Sequence, residues 1–240
     1  MALTLTNGVW VLAPASSGPT LLTLEPTPTG ASPSSFADGA VLDGGMLIGW
    51  RVHDPGSHFT AVTDDGTDFI FTSGNGTPDE LGNGAQWALA ARFFYPTLVM
   101  GDVDFSVRLK MAAVGGTSLW GMGVGSGDPA ASNEAGVVAL RCGRSVAVRN
   151  YAVGNSNAIF GSGPSPTLTD YVWVRIAIVG ETITWYTGGS AEAPSWSSFA
   201  TEKWDRAGGA RYFWISPGGA GRAYSMSTLK ASGWTYEVLS

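Results

Sequence analysis

Acidic side chains are the first candidates for chemistry in this sequence. Hydrolysis of a glycosidic bond needs two carboxyl groups that flank the bond, about 5 to 9 Å apart. The seven Glu residues are scattered along the chain and fall mostly in turn-like sequence. Asp102 and Asp104 share one face of a predicted strand, where a solvated strand edge is the simpler interpretation. The sequence therefore predicts a protein without a catalytic carboxylate pair.

A short acidic run offers a possible cation site. Asp64, Asp65 and Asp68 carry three carboxylates, and calcium prefers hard oxygen ligands of this kind. The run lacks the spacing and the closing Glu of an EF-hand loop, and Asp-Gly between two apolar runs is ordinary hairpin sequence. A turn is therefore the main prediction here and calcium the minor alternative. His53 and His58, which bracket Asp-Pro-Gly, are explained by a turn in the same way.

Aromatic side chains are the remaining candidates, because exposed rings can stack on sugars, although protein cores also contain tryptophan. Of the ten Trp residues, four have apolar or strand-like surroundings that predict a core position: Trp120, Trp185, Trp214 and Trp234. Five residues are predicted to contact a ligand or another subunit: Trp173, Arg175, Tyr186, Trp196 and Trp204. For the aromatic members of this set, packing beneath a loop or against the N-terminal segment is the competing interpretation.

These side chains need a framework, and composition indicates which kind. The 240 residues include 34 Gly and 13 Pro, with 44% hydrophobic and 13% charged residues, which is typical of many short strands joined by tight turns. The net charge of -6 argues against a nucleic-acid partner, since it would repel a phosphate backbone. The single cysteine, Cys142, lies in an apolar run and is predicted to be a buried thiol.

The N-terminal sequence differs from the rest. No basic residue precedes its apolar positions, and no run approaches the roughly 20 apolar residues of a membrane span, so neither a secretory signal nor membrane insertion is expected. Residues 1–35 are predicted as one strand, over residues 3–12, followed by a Pro/Ser/Thr-rich arm or linker. Residues 36–240 are predicted as a β-sandwich domain.

The clearest local element is a hairpin over residues 171–187. Gly180 at the first of two loop positions suits a type II′ turn. That turn sets five cross-strand pairs: Val179 with Thr182, Ile178 with Ile183, Ala177 with Thr184, Ile176 with Trp185, and Arg175 with Tyr186. One face of the hairpin is then apolar core, and the opposite face, with Trp173, Arg175 and Tyr186, is amphipathic.

Other segments alternate between apolar and polar residues in the same way. The pattern is clean over residues 105–111. Further strands are predicted over residues 118–124, 136–142, 145–153, 211–216 and 233–239, at a spacing expected of a two-sheet sandwich.

Three of these segments resemble a known family. Residues 98–109 (LVMGDVDFSVRL), 171–176 (YVWVRI) and 234–238 (WTYEV) are similar to strands of concanavalin A-like lectin/glucanase (laminin-G-like) jelly rolls, of the kind carried by bacteriophage virion proteins. The resemblance implies an all-β, antiparallel two-sheet jelly-roll sandwich, preceded by an extended N-terminal arm. It also implies glycan or protein ligands on the concave face or at the rim loops.

The expected function follows from this resemblance together with the arm. The first hypothesis is a non-catalytic virion structural protein, in capsid decoration or a tail, held to other subunits by residues 1–35 in a homo-oligomer or lattice. It would be synthesised in the host cytoplasm and would adhere weakly to a cell-surface glycan. The alternatives are a stand-alone carbohydrate-binding module and a glycan-degrading enzyme with an unrecognised site.

Overall fold

The computed structural model describes residues 2–6, 9–13, 20–74, 91–111, 120–126, 137–142, 146–151, 159–162, 170–203, 209–217 and 223–238. Within these ranges the chain forms strands and turns but no helix, and therefore no helix that could cross a membrane. The strands are β1 Ala2–Thr6, β2 Val9–Ala13, β3 Thr20–Leu24, β4 Arg51–His53, β5 Phe59–Asp64, β6 Phe69–Ser73, β7 Arg92–Phe94, β8 Thr97–Met111, β9 Trp120–Ser126, β10 Val137–Cys142, β11 Val146–Tyr151, β12 Ile159–Ser162, β13 Val172–Val179, β14 Thr182–Gly189, β15 Ser197–Lys203, β16 Arg211–Ser216 and β17 Ala223–Val238.

Fifteen of these strands form one antiparallel sheet that curls into two facing layers. The front layer has the order β17-β8-β13-β14-β15. Along the other edge of β17, β6 and β3 pair with different parts of that strand, and β5 pairs with β6. The back layer contains β12-β11-β10-β9-β16, with β7 and β4 beyond β16. Phe105 of the front layer and Phe213 of the back layer meet with ring centroids 4.9 Å apart, and both are fully buried. The core therefore lies between the layers.

The predicted hairpin is confirmed as β13 and β14. All five predicted cross-strand pairs are present, from Val179 opposite Thr182 to Arg175 opposite Tyr186. Gly180 has a φ of 56°, while Ser57 is the one described non-glycine residue with a positive φ, so the turn is type II′ as predicted. The predicted core face is also confirmed, since Val174, Ile176, Ile178, Ile183 and Trp185 are fully buried.

Two strands are much longer than their sequence pattern suggests. β8 begins at Thr97 and contains the predicted strand 105–111, and β17 begins at Ala223 and contains most of 233–239. The register between them shifts between Ser232 and Trp234, opposite Gly101, whose φ is 76°. Such a bulge interrupts the period-2 alternation without ending the strand, which explains the short predictions.

The N-terminal segment also differs from the prediction. The single strand expected over residues 3–12 is a hairpin, β1 and β2, in which Thr6 lies opposite Val9. The described part of the predicted arm, residues 20–35, lies on the sandwich because β3 pairs with β17. Beyond β3, the backbone N–H groups of Thr29 and Gly30 donate to the buried carboxylate of Asp64 at 2.9 and 2.7 Å.

Candidate functional site

A groove lies on the face of the front layer that points away from the core. Strand alternation places polar side chains on this face, and the register aligns them in rows. Ser232 lies opposite Asp104, and Lys230 and Arg175 both lie opposite Ser106. These residues and Thr228 form the floor of a groove of about 910 Å³. A volume of this size is in the range of small-molecule and oligomer sites.

One wall of the groove is the loop of residues 190–196. The indole Nε1–H of Trp173 donates to the carbonyls of Ala191 and Glu192, at 2.9 and 3.2 Å. The N–H of Ser195 donates to the carbonyl of Gly188 at 3.0 Å, which turns the loop back onto β14. A Cβ on Gly188 would lie 2.7 Å from Pro194 Cβ and 2.8 Å from Trp173 Cβ. The wall can reach this position only because residue 188 has no side chain.

The opposite wall is β3, the edge strand. Leu21 and Thr23 of β3, and Glu25 immediately after it, line the groove from this side. Glu25 forms an exposed ion pair with Lys230 of the floor, with Nζ and Oε2 3.4 Å apart. Exposed pairs of this kind stabilise a fold little, so its main effect is on the local charge of the groove.

Arg175, on the floor of the groove, is held by one carboxylate and two aromatic rings. Its Nε–H donates to both carboxylate oxygens of Asp104 at 3.0 and 2.8 Å, and its Nη2 contacts the same carboxylate. The guanidinium carbon lies 4.8 Å from the ring centre of Tyr186 and 5.6 Å from that of Trp196. A guanidinium held by a carboxylate and two rings keeps a fixed orientation. Arg175 therefore presents its remaining N–H groups in a defined direction.

Four of the five predicted contact residues are brought together here. Trp196 packs edge to face with Trp173 at 5.8 Å and with Tyr186 at 6.5 Å between ring centroids. Trp173 is only 3% exposed, so it supports the loop, as the competing interpretation expected. Trp196, Tyr186 and Arg175 are partly exposed beside the groove. Trp204, the fifth, lies outside the described residues.

A second cluster, which the sequence analysis missed, anchors the loop from below. Arg108 Nη2 donates to the carbonyl of Ser190 at 3.1 Å, and its guanidinium carbon lies 4.1 Å from the ring centre of Tyr171. The hydroxyl of Tyr171 donates to the buried carboxylate of Asp68 at 2.6 Å. Burial raises the pKa of Tyr171, so the hydroxyl keeps its proton well above neutral pH. The signal in the sequence was the alternation of Arg108 and Lys110 on the polar face of β8.

The carboxylates of Asp64, Asp65 and Asp68, predicted as a minor calcium alternative, bind separate partners in the protein. Asp64 accepts N–H groups from Thr29, Gly30, Gly66 and Met46; Asp65 accepts those of Thr67 and Asp68 in its own turn; and Asp68 binds the hydroxyl of Tyr171. Oxygens that already accept hydrogen bonds from donors are not arranged around a cation. Among the residues that the structure describes, no group of three or more His, Cys, Asp or Glu is placed to hold a metal ion.

Other candidates also take structural positions. Asp54, between the two histidines, accepts the N–H groups of His58 and Phe59, both at 2.8 Å, so this segment is a hydrogen-bonded turn. Asp102 accepts the N–H of Gly180 at 2.9 Å.

The predicted core tryptophans divide into two groups. Trp185 and Trp214 are fully buried, as expected. Trp234 is 42% exposed, so its predicted core position is wrong. Its ring covers Gly101 at the bulge of β8, where a side chain on residue 101 would collide with the indole. The side chain of Trp120 lies outside the described part of the chain.

Solved structures similar to this one include a legume lectin, the domain of VIP36 and a GH43 protein. Peanut lectin with a 9mer peptide matches with a TM-score of 0.58 at 9% identity, over 91% of this chain and 100% of the lectin chain. The exoplasmic/lumenal domain of VIP36, in its Ca²⁺/Man2-bound form, matches with a TM-score of 0.51 at 11% identity, over 80% and 84% of the two chains. A mutant of the GH43 protein BlXynB from Bacillus licheniformis matches with a TM-score of 0.53 at 12% identity, over 77% of this chain and 37% of that one.

These similarities define the fold class. The chain is an all-β, concanavalin A-like jelly-roll sandwich, which confirms the fold that the sequence predicts. At such low identity, the similarity shows the fold and not the activity. No protein-family model and no curated protein matches the sequence.

Proposed function

We propose that this chain is a carbohydrate-binding domain that takes a glycan into the groove of the front layer. The observation that carries the proposal is the juxtaposition of a partly exposed Trp196 with the oriented pair of Arg175 and Asp104. A ring face contacts the C–H face of a sugar, while a guanidinium and a carboxylate offer donors and acceptors to neighbouring hydroxyls. The similar VIP36 domain, named as bound to Man2, gives further support.

The charges of the groove favour an uncharged glycan. Arg175 is paired with Asp104 and Lys230 with Glu25, so each cation of the lining has an anionic partner. Glu192 adds one further negative charge at the wall. An acidic polysaccharide would therefore meet a groove with a small net negative charge, whereas a neutral one meets hydrogen-bonding groups without repulsion.

We further propose that the groove is not catalytic. A general acid for glycoside cleavage must hold its proton at working pH, usually because burial raises its pKa. Both carboxylate oxygens of Asp104 instead accept the Nε–H of Arg175, and its side chain is 40% exposed, so it lacks the apolar burial of such an acid. Glu25 is exposed and paired with Lys230. A reducing-sugar assay on a panel of polysaccharides tests this point, and release of sugar would contradict it.

The binding proposal is tested with neutral oligosaccharides of mannose, xylose, glucose and N-acetylglucosamine, by calorimetry. One face of an indole buries on the order of 60 Å² of apolar surface, so Trp196→Ala is expected to weaken binding roughly tenfold, and Trp196→Phe less. Ile48→Ala, at an exposed position away from the groove lining, is the matched control and should leave affinity unchanged. Equal affinity of the wild type and Trp196→Ala for every sugar would refute the role of this groove.

We propose, as a second function, that the N-terminal hairpin attaches the domain to a larger assembly such as a virion. β1 and β2 form a two-stranded sheet of their own, with no pairing to the larger sheet among the described strands. A lone two-stranded hairpin is marginally stable in water, which favours a partner surface for it. The phage context is what the family resemblance implies.

Light scattering with size exclusion tests this attachment. Because β3 belongs to the sandwich, the truncated chain should begin at Thr20 and not at Phe36. We expect the full chain to form an oligomer or to bind virion particles, and the chain that begins at Thr20 to be a folded monomer. Identical monomers that both fail to bind particles would contradict the second function while leaving the glycan groove unaffected.

A further inference from the structure

Trp234 is the most unusual side chain near the groove, because a large ring stands exposed on a strand whose inner face is core. It is 42% exposed, whereas Trp173, Trp185 and Trp214 are nearly or fully buried. Its cross-strand neighbour Leu21 is 60% exposed. Two adjacent exposed apolar side chains on one face form a surface whose burial by a ligand is energetically favourable.

The register places this pair on the same face as the groove. Thr23 lies opposite Ser232, and both line the groove; Leu21 lies opposite Trp234, two residues further along each strand. Residues two apart on a strand share a face, so Trp234 lies next to Ser232 on the outward face of β17, at the end of the groove. Leu21 itself lines the groove.

The ring is held in this position by the bulge of β8. Gly101 lies beneath the indole in a positive-φ conformation, and its carbonyl accepts a hydrogen bond from Nη2 of Arg211 at 3.1 Å. Arg211 is 1% exposed, so the bulge is fixed from inside the protein. The Trp234 ring therefore rests on a rigid backbone surface, which lowers the entropy lost when a ligand covers it.

Trp196 and Trp234 lie at opposite ends of this surface. Three strand spacings separate β14, beside Trp196, from β17, and Trp234 lies four residue steps along β17 from Lys230. With about 4.8 Å per strand and about 3.3 Å per residue, the two rings are roughly 20 Å apart. No single sugar ring spans that distance, while a chain of several sugars does.

We infer that Trp234, with Leu21, is a second stacking subsite and that the ligand is an extended neutral oligosaccharide chain crossing the strands from Trp196 to Trp234. This inference rests on the proposed function, since the chain occupies the same groove. It adds a requirement for length: short oligosaccharides occupy the Trp196 end alone, and longer ones gain affinity when they reach Trp234.

Calorimetry with the full chain and a length series, from monosaccharide to hexasaccharide of each neutral sugar, tests the inference. We expect wild-type affinity to rise with the length of the oligosaccharide. Trp234→Ala should lower the affinity for the longest oligosaccharides roughly tenfold and leave the affinity for the short ones unchanged. Trp234→Leu keeps an apolar cover on Gly101 and should show the same selective loss if Trp234→Ala folds poorly. Trp196→Ala should weaken binding at every length, and Ile48→Ala at none.

The outcomes separate the two claims. If affinity depends on length in both Trp234 variants as it does in the wild type, or if affinity falls equally at all lengths, the second subsite is wrong. The proposed glycan binding in the groove is not contradicted by either result. If no member of any series binds the wild type, both the subsite and the proposed function fail.

Discussion

Replacing Gly188 by alanine should displace the loop wall of the groove and weaken ligand binding. A Cβ at this position would lie 2.7 Å from Pro194 Cβ, 2.8 Å from Trp173 Cβ and 3.0 Å from Trp196 Cε3, where ordinary contacts are 3.4 to 4 Å. None of the three atoms is at the end of a flexible chain. The loop must therefore move away from β14 by several tenths of an ångström or more, and Trp196 moves with it.

The cost follows from the three close contacts. Overpacking by one methyl group in a well-packed site destabilises a protein by about 1 to 3 kcal/mol. For a chain of this length, that corresponds to a fall in Tm of roughly 2 to 12 °C. Because Trp196 is carried on the displaced loop, affinity for the best neutral oligosaccharide should fall by roughly tenfold as well.

Gly189→Ala is the matched control. Gly189 has a φ of 74° and no atom within 4 Å of an added Cβ, so alanine there strains the backbone by about 1 to 2 kcal/mol without touching the wall. Differential scanning calorimetry and titration calorimetry on both variants separate stability from binding. If Gly188→Ala keeps wild-type affinity, or if Gly189→Ala loses as much, the wall does not position Trp196 and the reasoning is refuted.

Three further predictions concern stability. Tyr171→Phe removes the hydroxyl donor from the buried carboxylate of Asp68 and should cost about 1 to 3 kcal/mol in urea unfolding; no change would mean that water replaces the hydroxyl. Asp64→Asn keeps one oxygen for the N–H groups of Thr29, Gly30 and Gly66 but turns an NH2 group towards the N–H of Met46, so it should cost about 1 to 3 kcal/mol, with faster amide exchange at Met46. Hydrogen bonds from Ser34 lower the pKa of Asp43 below 3.8. The carboxylate of Asp43 therefore stabilises the fold above that pH, and this stabilisation is lost as the pH falls through the lowered pKa. The difference in unfolding free energy between wild type and Asp43→Asn should be constant near pH 7 and shrink below pH 4.

The sequence predicts those parts of the fold that are encoded locally. The register of β13 and β14 follows from period-2 alternation and one glycine at the turn, and all five predicted pairs are present. The pairing of Trp173, Arg175 and Tyr186 on one face follows from the same register. The first hairpin could also have been predicted, because Asn7-Gly8 between two apolar runs is a strong hairpin signal.

The remaining features depend on partners that are distant in sequence. Trp234 alternates with its neighbours like a core residue, whereas its register with Leu21 of β3 places it on the outward face, on the same side as Ser232. The position of residues 29 and 30 depends on the carboxylate of Asp64, and the loop wall depends on Arg108 reaching Ser190. A local pattern contains the side chains that form such contacts but not the pairing between them.

The pairing of β8 with β17 also determines when the front layer can form. Met111 lies opposite Tyr224 and Thr97 opposite Val238, so these two long strands are far apart in sequence. Non-local pairing of this kind folds slowly, because the chain entropy of a long loop is lost before the contacts form. During synthesis, β8 can pair with β13, but the other edge of β8 stays unpaired until β17 has left the ribosome. The open edge of β8 is consequently the place where a nascent chain is most exposed to aggregation, and the groove exists only after its last strand has been made.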